Sequence, residues 1–442
     1  MKTPTLEEIV SLCKRRGFVF PGSEIYGGLA GTFDYGPLGV ALKENIKRLW
    51  WKAFVDDRDD MYGVDAAILM NPKAWEASGH VSGFSDPLIE CSNCKKRFRA
   101  DHVEDLNVCA SCGKKGTLGE ARQFNMMFKT HAGAAEDDSS VVYLRPETAA
   151  GMFLNFKNII DSFHPKLPFG LAQIGKAFRN EIAPRDFIFR LRELEQMEVE
   201  YFVKPEAWEA AFAEWQSMMH AFAKTVGIPS EHLHELEVAD ADRAHYSKRT
   251  IDFEFDYPFG RKELWGLAYR TDFDLSAHQT GSSVSLDYLD EETKERIVPH
   301  VIEPSLGVDR TFLAVLLSAY DEDELGGEKR AVLRFDPKVA PIKAMVSPLL
   351  KNKPELVEKA REVRAQLRKI HPAIAWDDNG NIGKRYRRQD EIGTPWCVTI
   401  DFDTLGENPE LIDTVTLRHR DTGDQERLSI DEVAARLREA LG

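Results

Sequence analysis

The sequence predicts an α+β protein in which helices flank a mainly antiparallel sheet, followed by a smaller α/β domain. Three observations carry that prediction. Long, partly alternating runs rich in β-formers occur at 141–145, 171–179, 187–203, 264–273 and 300–303, without the regular interleaving of helices that a parallel sheet needs. Apolar residues at helical spacing fall in separate segments between those runs. At 334–341 the stretch RFDPKVAP sets two prolines in polar company, and beyond it strand and helix patterns alternate.

Taken in order, 41–55 reads as an amphipathic helix with Leu42, Ile46, Leu49 and Trp50 on one side. Four cysteines follow as CSNC (Cys91, Cys94) and CASC (Cys109, Cys112), with 14 residues between the pairs. A helix should follow Pro205, where Trp208, Phe212, Trp215, Met219 and Phe222 recur at spacings of 4, 3, 4 and 3, a packing seam rather than a ligand box. Past the boundary, IKAMVSPL reads as a strand and 354–370 as a helix with Leu356, Ala360, Val363 and Leu367 inward. AIAWDD, WCVTIDF and TVTLRH add strands, and 428–441 closes with a helix. The expected units are 1–335, with a cysteine insert at 85–120 and a helical insert at 205–250, and 341–442.

With 442 residues, 43% of them apolar and 10% aromatic, the chain can fill a core, so disorder is not the default. Lys and Arg total 58 against 73 acidic residues, and the net charge of −15 argues against coating nucleic acid non-specifically, though a local basic groove remains open. The N-terminus carries Glu7 and Glu8 and no apolar signal region, and no run approaches the ~18 apolar residues of a membrane span. The expectation is a cytoplasmic protein with no membrane partner.

Each C-x2-C knuckle presents two thiolates to one ion, and four thiolates satisfy tetrahedral Zn²⁺ without leaving a position open for catalysis. A structural zinc at Cys91, Cys94, Cys109 and Cys112 is therefore expected, against the alternative of four reduced thiols. The stretch AFRNEIAPRDFIFRLRELEQMEVEYF sets Arg179, Arg185, Arg190 and Arg192 among carboxylates. On a strand pair alternate residues share a face, so Arg179, Arg190 and Arg192 can point into one pocket and hold phosphate oxygens bidentately. The other reading of the same residues is a cross-strand ion-pair ladder. Walker, Rossmann and kinase signatures do not occur.

Phe178-Arg179-Asn180-Glu181 resembles motif 2 of the class II aminoacyl-tRNA synthetases, and GVDR at 307–310 resembles a shortened motif 3. The helix at 41–55 with Asn71-Pro72 resembles motif 1. More narrowly, YGPLG, WEASGH, LRPETAAG, FRNEIAPRDFIFRLRE, ELWGLAYRTDFDL, EPSLGVDR and YRRQDEIGTP are similar, in order, to signatures of the dimeric glycyl-tRNA synthetases, across essentially the whole chain.

That resemblance implies a class II catalytic domain at 1–335 and an anticodon-binding domain at 341–442, in which Lys384, Arg385, Arg387 and Arg388 supply positive charge. It implies ATP, glycine and tRNA-Gly as substrates, Mg²⁺ and Zn²⁺ as metals, and a homodimer whose contact uses Trp50 and Trp51. Arg179 would hold the ATP α-phosphate, Arg190 the γ-phosphate, and Glu181 the adenine amino group. Arg310 would cover adenine while reaching the γ-phosphate; Asn180, Phe189, Leu191, Arg192, Glu193, Gly307, Val308 and Asp309 complete the nucleotide segments. Glu263 would ligate Mg²⁺ beside Leu264. Glu147, Glu303 and Ser305, with Glu195, Gln196, Met197 and Glu198, would line the glycine pocket, next to Pro304, Leu306 and Gly307, and Arg99 would approach from the cysteine insert. Where that family carries a stacking phenylalanine this chain has Leu194, which implies weaker stacking on adenine. A synthetase for another small amino acid and a catalytically inactive, nucleic-acid-binding paralogue stay open; the presence of Arg179, Arg190 and Arg310 favours the enzyme.

Overall fold

The computed structural model describes residues 4–134, 136–244 and 246–441. Helix α1 (Pro37–Trp51) opens with proline, whose missing N–H costs nothing in a first turn, and runs on through a π-helical turn at Lys52–Asp56. It begins earlier than its apolar periodicity predicts. Trp50 is fully buried and stacks on Phe54 with centroids 5.3 Å apart, so it belongs to the core of its own chain and is not available for a contact between copies.

The central sheet contains β1 (Met61–Gly63), β2 (Phe169–Phe178), β3 (Glu193–Val203), β4 (Leu233–Glu237), β5 (Arg249–Tyr257), β6 (Gly260–Thr271) and β7 (His300–Gly307). Its order is β4-β5-β6-β7-β3-β2-β1, antiparallel throughout except for the β1/β2 pair. Four further helices dress it: α2 (Ala149–Phe163), α3 (Trp208–Thr225), α4 (Phe273–Ser282) and α5 (Val308–Ala319).

Two expectations change. Strand β3 starts at Glu193, not at 187, because Asp186 and Phe187 adopt φ of 61° and 57°, two consecutive left-handed residues that turn the chain out of an extended run. The span 205–250 is not only helical. Beyond α3, whose Phe212, Trp215, Met219 and Phe222 are buried as the seam predicts, it supplies β4 at the sheet edge.

The cysteine insert is a small sheet in which Ser85–Glu90 pairs with Arg97–Arg99 and Arg122–Asn125. The C-terminal unit has a separate apolar core. Its sheet contains β8 (Ala344–Pro348), β9 (Ile374–Trp376), β10 (Trp396–Ile400), β11 (Thr414–His419) and β12 (Gln425–Ser429), ordered β9-β8-β10-β11-β12. Helices α6 (Pro354–Arg368), α7 (Ile382–Ile392) and α8 (Ile430–Leu441) accompany it. A hairpin of Tyr320–Leu325 and Glu328–Leu333 joins the units: buried Arg330 pairs with Asp390 of α7 at 2.8 Å.

Candidate active site

Strands β2 and β3 end with Phe178 opposite Glu193, and the Arg179 amide donates to the Arg192 carbonyl at 2.8 Å. The loop between them and the first turn of α5 border a pocket that opens to solvent. Arg179, Arg190 and Arg310 line it with Glu181, Glu263 and Phe189. Arg179 Nε donates to the Pro146 carbonyl at 3.0 Å, and its guanidinium lies over Phe84. Arg190 pairs with Glu181 at 3.3 Å. Arg310 lies 4.4 Å over the Phe189 ring and pairs with Glu263 at 3.1 Å. Arg310 holds the Glu263 carboxyl below its ordinary range against the pull of burial, with Arg179 and Arg190 adding to the effect. Three guanidiniums around one open pocket make an anion site suited to phosphate oxygens.

Glu263, on the wall of that pocket, also belongs to a hard-cation feature. Glu254 faces Glu263 directly across β5 and β6, and Asp252 beside them is pushed up to about 7 by burial and then by those two carboxylates. Oxygen ligands in mutual repulsion fit a divalent cation such as Mg²⁺.

Farther along the same face the charge inverts. Gln196 and Glu198 of β3 share it with Glu303 and Ser305 of β7. Buried Glu198 accepts from Ser305 Oγ at 2.6 Å, Gln196 Nε2 at 2.8 Å and the Thr148 amide at 3.1 Å, and also from the Thr148 hydroxyl. Glu147 lies 3.4 Å from His80 Nε2; burial opposes its ionisation, but His80, Arg270 and Arg179 hold its carboxyl at about 2. Glu303 accepts from Arg270 at 2.7 Å, and that guanidinium also grips Asp274 bidentately at 2.7 and 2.8 Å. Burial nonetheless pushes Glu303 up to about 8, with Glu198 and Glu147 reinforcing it. Carboxylates that feel one another this strongly, with one guanidinium among them, form a cradle for a small cation such as an ammonium group.

In the insert, Cys91 Sγ lies 3.8 Å from Cys112 Sγ and Cys94 Sγ 3.7 Å from Cys109 Sγ, and the four sulfurs all fall within 4.8 Å of one another. A ZnS₄ tetrahedron with bonds of ~2.3 Å has sulfur edges of ~3.8 Å, so the residues fit zinc.

Two family models match the chain. One, described as the tRNA synthetase class II core domain (G, H, P, S and T), covers 128–320, and the other, an anticodon binding domain, covers 343–440. Full-length relatives agree with both. A glycine–tRNA ligase of Thermobifida fusca is 50% identical, over 100% of this chain and 99% of the relative. One from Clostridium acetobutylicum is 50% identical over 99% of each chain, and one from Lysinibacillus sphaericus 49% identical over 100% of each. The chain belongs to the glycine–tRNA ligase family.

Within this glycine–tRNA ligase family fold, the structure sorts the sequence-predicted residues. Leu191, Leu194, Glu195, Gln196, Leu264, Ser305, Gly307 and Asp309 border the pocket with the arginines. Arg192 does not: it donates to the Ala30 carbonyl at 2.7 Å and ties an N-terminal loop to the strand pair. Glu193 is exposed and pairs with Lys176 at 2.8 Å. Met197, Leu306 and Val308 belong to the main core, and Pro304, buried too, alternates with the pocket-facing Glu303 and Ser305. Asn180 takes part through its backbone, donating to the Met126 carbonyl at 2.7 Å. Arg99 pairs with Asp86 at 2.7 Å and with Asp101 at 2.7 Å, within the insert. Asp309 is a buried anchor, accepting from Lys43 at 3.0 Å, the Glu195 amide at 2.8 Å and Tyr35.

In the C-terminal unit Arg385 is 1% exposed and donates to Ser347 at 2.6 Å, so it carries no charge to a surface. Arg387 donates to the Leu325 carbonyl of the joining hairpin at 3.0 Å, and Arg388 pairs with Asp377 at 2.7 Å. Lys384 alone of the four is exposed. Sequence reasoning missed His80, Thr148, Arg270 and Asp274 as pocket residues; Arg270 and Asp274 lie four apart where β6 leads into α4, but nothing in the spacing joins that stretch to His80 or Thr148.

Proposed function

We propose that the protein joins glycine to tRNA-Gly in two steps, forming glycyl-adenylate and pyrophosphate from glycine and ATP and then passing the glycyl group to the terminal 3′-hydroxyl. The observation that carries this reading is the adjacency, along one sheet face, of a guanidinium pocket and a carboxylate cradle, in a chain alignable end to end with glycine–tRNA ligases. The cradle of Glu147, Glu198 and Glu303 holds the ammonium of glycine, and Ser305 bounds the space beside its α-carbon. Arg179 and Arg190 hold the phosphates. Arg310 and Phe189 enclose the adenine with Leu194, and Glu181 accepts from its amino group. The glycine carboxylate attacks the α-phosphorus in line, and the arginines compensate charge that develops on the phosphate oxygens.

Glu263, with Glu254 and Asp252 near it, would hold Mg²⁺, which neutralises polyphosphate charge. The four cysteines would hold a structural Zn²⁺. We also read the protein as a homodimer. Edge strand β1 and the 61%-exposed Phe163, packed on Tyr62 at 5.4 Å, offer the surface, and buried Trp50 does not. Cytoplasmic location fits six unpaired cysteines. Among the described residues no helix is long and apolar enough to cross a membrane. The test is charging of tRNA-Gly with radiolabelled glycine: acid-stable, base-labile glycyl-tRNA is expected, and RNA that stays unlabelled with glycine would refute the reading.

A further inference from the structure

Between the ammonium cradle and the apolar core lies a carboxylic acid that the reaction does not use. Glu200 of β3 is 0% exposed, and neither Oε1 nor Oε2 has a hydrogen-bond partner among the described residues. It follows Glu198 on the same face and precedes Phe202, which packs with Phe153 and Phe156. The register that pairs Glu198 with Ser305 and Tyr201 with Ile302 puts Glu200 opposite Glu303, where facing side chains of an antiparallel pair meet.

We propose that Glu200 is a positioning residue for the amino acid: it remains a neutral acid and donates its O–H to Glu303, so that Glu303 meets the glycine ammonium as a carboxylate. This rests on reading the cradle as the glycine site.

The charges around it assign the proton. Register places Glu303 of β7 opposite it and Glu198 beside it on its own strand, and it feels the charges of Arg270 of β6 and Asp274 of α4. Helix α2 and strand β2 offer the apolar Phe153, Phe156 and Leu171. Arg270 is already engaged, with Nη1 on Glu303 and Nε and Nη2 on Asp274. Of two buried carboxyls facing each other, the one without a cation keeps the proton. Burial, and then Glu303, hold Glu200 well above the ordinary carboxyl range.

The consequence is a pH dependence with a definite sign. As pH rises through about 8, Glu303 ionises, and the KM for glycine in pyrophosphate exchange falls. In Glu200→Leu the donor is lost and the Glu303 carboxylate is less stabilised. Its midpoint moves to higher pH, and the glycine KM at pH 7 rises at least about tenfold with the ATP KM unchanged. In Glu200→Gln the amide donates instead, and the midpoint and KM stay near those of the wild type. A downward shift of the midpoint in Glu200→Gln, as from removal of a like charge, would overturn the assignment, as would a Glu200→Leu variant with wild-type KM and midpoint. Infrared spectra provide a check independent of activity or of the folding of the Leu variant. Well above pH 8, where Glu303 and Asp252 are ionised, the wild type should still show a protonated-carboxyl C=O stretch that is missing in Glu200→Gln, and its absence from the wild type would also overturn the proposal. Wild-type protein that shows the band but exchanges no pyrophosphate with glycine would instead refute the function itself.

Discussion

Arg310 covers the Phe189 ring and holds the Glu263 carboxylate, so one side chain can frame both the adenine site and the polyphosphate site. Arg179 and Arg310 are half-buried at the wall of an open pocket, and each packs on a single ring, Phe84 and Phe189, rather than inside the core. Replacing either with alanine should cut pyrophosphate exchange at least about a hundredfold, the scale for losing one preorganised donor to transition-state charge, with little change in melting temperature. Exchange near the wild-type rate in both variants would return these arginines to the role of an ion-pair ladder. Leu194 gives a prediction of the opposite sense. Leu194→Phe should lower the KM for ATP a few-fold, since an aromatic stack is worth ~0.5–1.5 kcal/mol. Ser305 both bounds the space beside the α-carbon and donates to Glu198 at 2.6 Å. Ser305→Gly should therefore raise alanine use relative to glycine and also weaken glycine activation, which kcat/KM for the two amino acids will report.

At the scale of elements, Asp309 locks the start of α5 to α1 through Lys43 and to β3 through the Glu195 amide. Asp309→Ala leaves Lys43 buried with one partner fewer and should cost about 3 kcal/mol, read as a shift in urea midpoint. Sequence alone left that residue undecided between metal and pocket and did not reach its structural role, because its partners lie far away in the chain. The strands were legible for the opposite reason: alternation is local, and β2, β6 and β7 lie where it predicts them. The stretch 187–192 misleads because Phe187, Phe189 and Leu191 recur at strand spacing, yet Asp186 and Phe187 are left-handed and the chain stays a loop until Glu193. The cysteine pairs were legible because ligand spacing is a nearly complete description of the site. Zinc should be near stoichiometric by elemental analysis, and Cys91→Ser should loosen 85–125 to hydrogen exchange without disturbing β8–β12.

At the scale of the molecule, two cores are joined through a buried ion pair, and this changes what the basic residues of α7 do. Arg385, Arg387 and Arg388 build the domain and its attachment, and only Lys384 presents its charge to solvent. Asp390 is 0% exposed between Arg330 at 2.8 Å and Arg418 at 2.8 Å. Asp390→Ala should uncouple the two units, lowering tRNA charging far more than pyrophosphate exchange. An equal loss of both would deny this division of labour. The central claim is that the carboxylate cradle and the guanidinium pocket together activate glycine and no larger amino acid. ATP–pyrophosphate exchange with each of the twenty amino acids supplied separately tests it most directly. The account predicts robust exchange with glycine, little with alanine, and loss of the glycine signal in Glu147→Ala. Comparable exchange with alanine, or none with glycine, would contradict it.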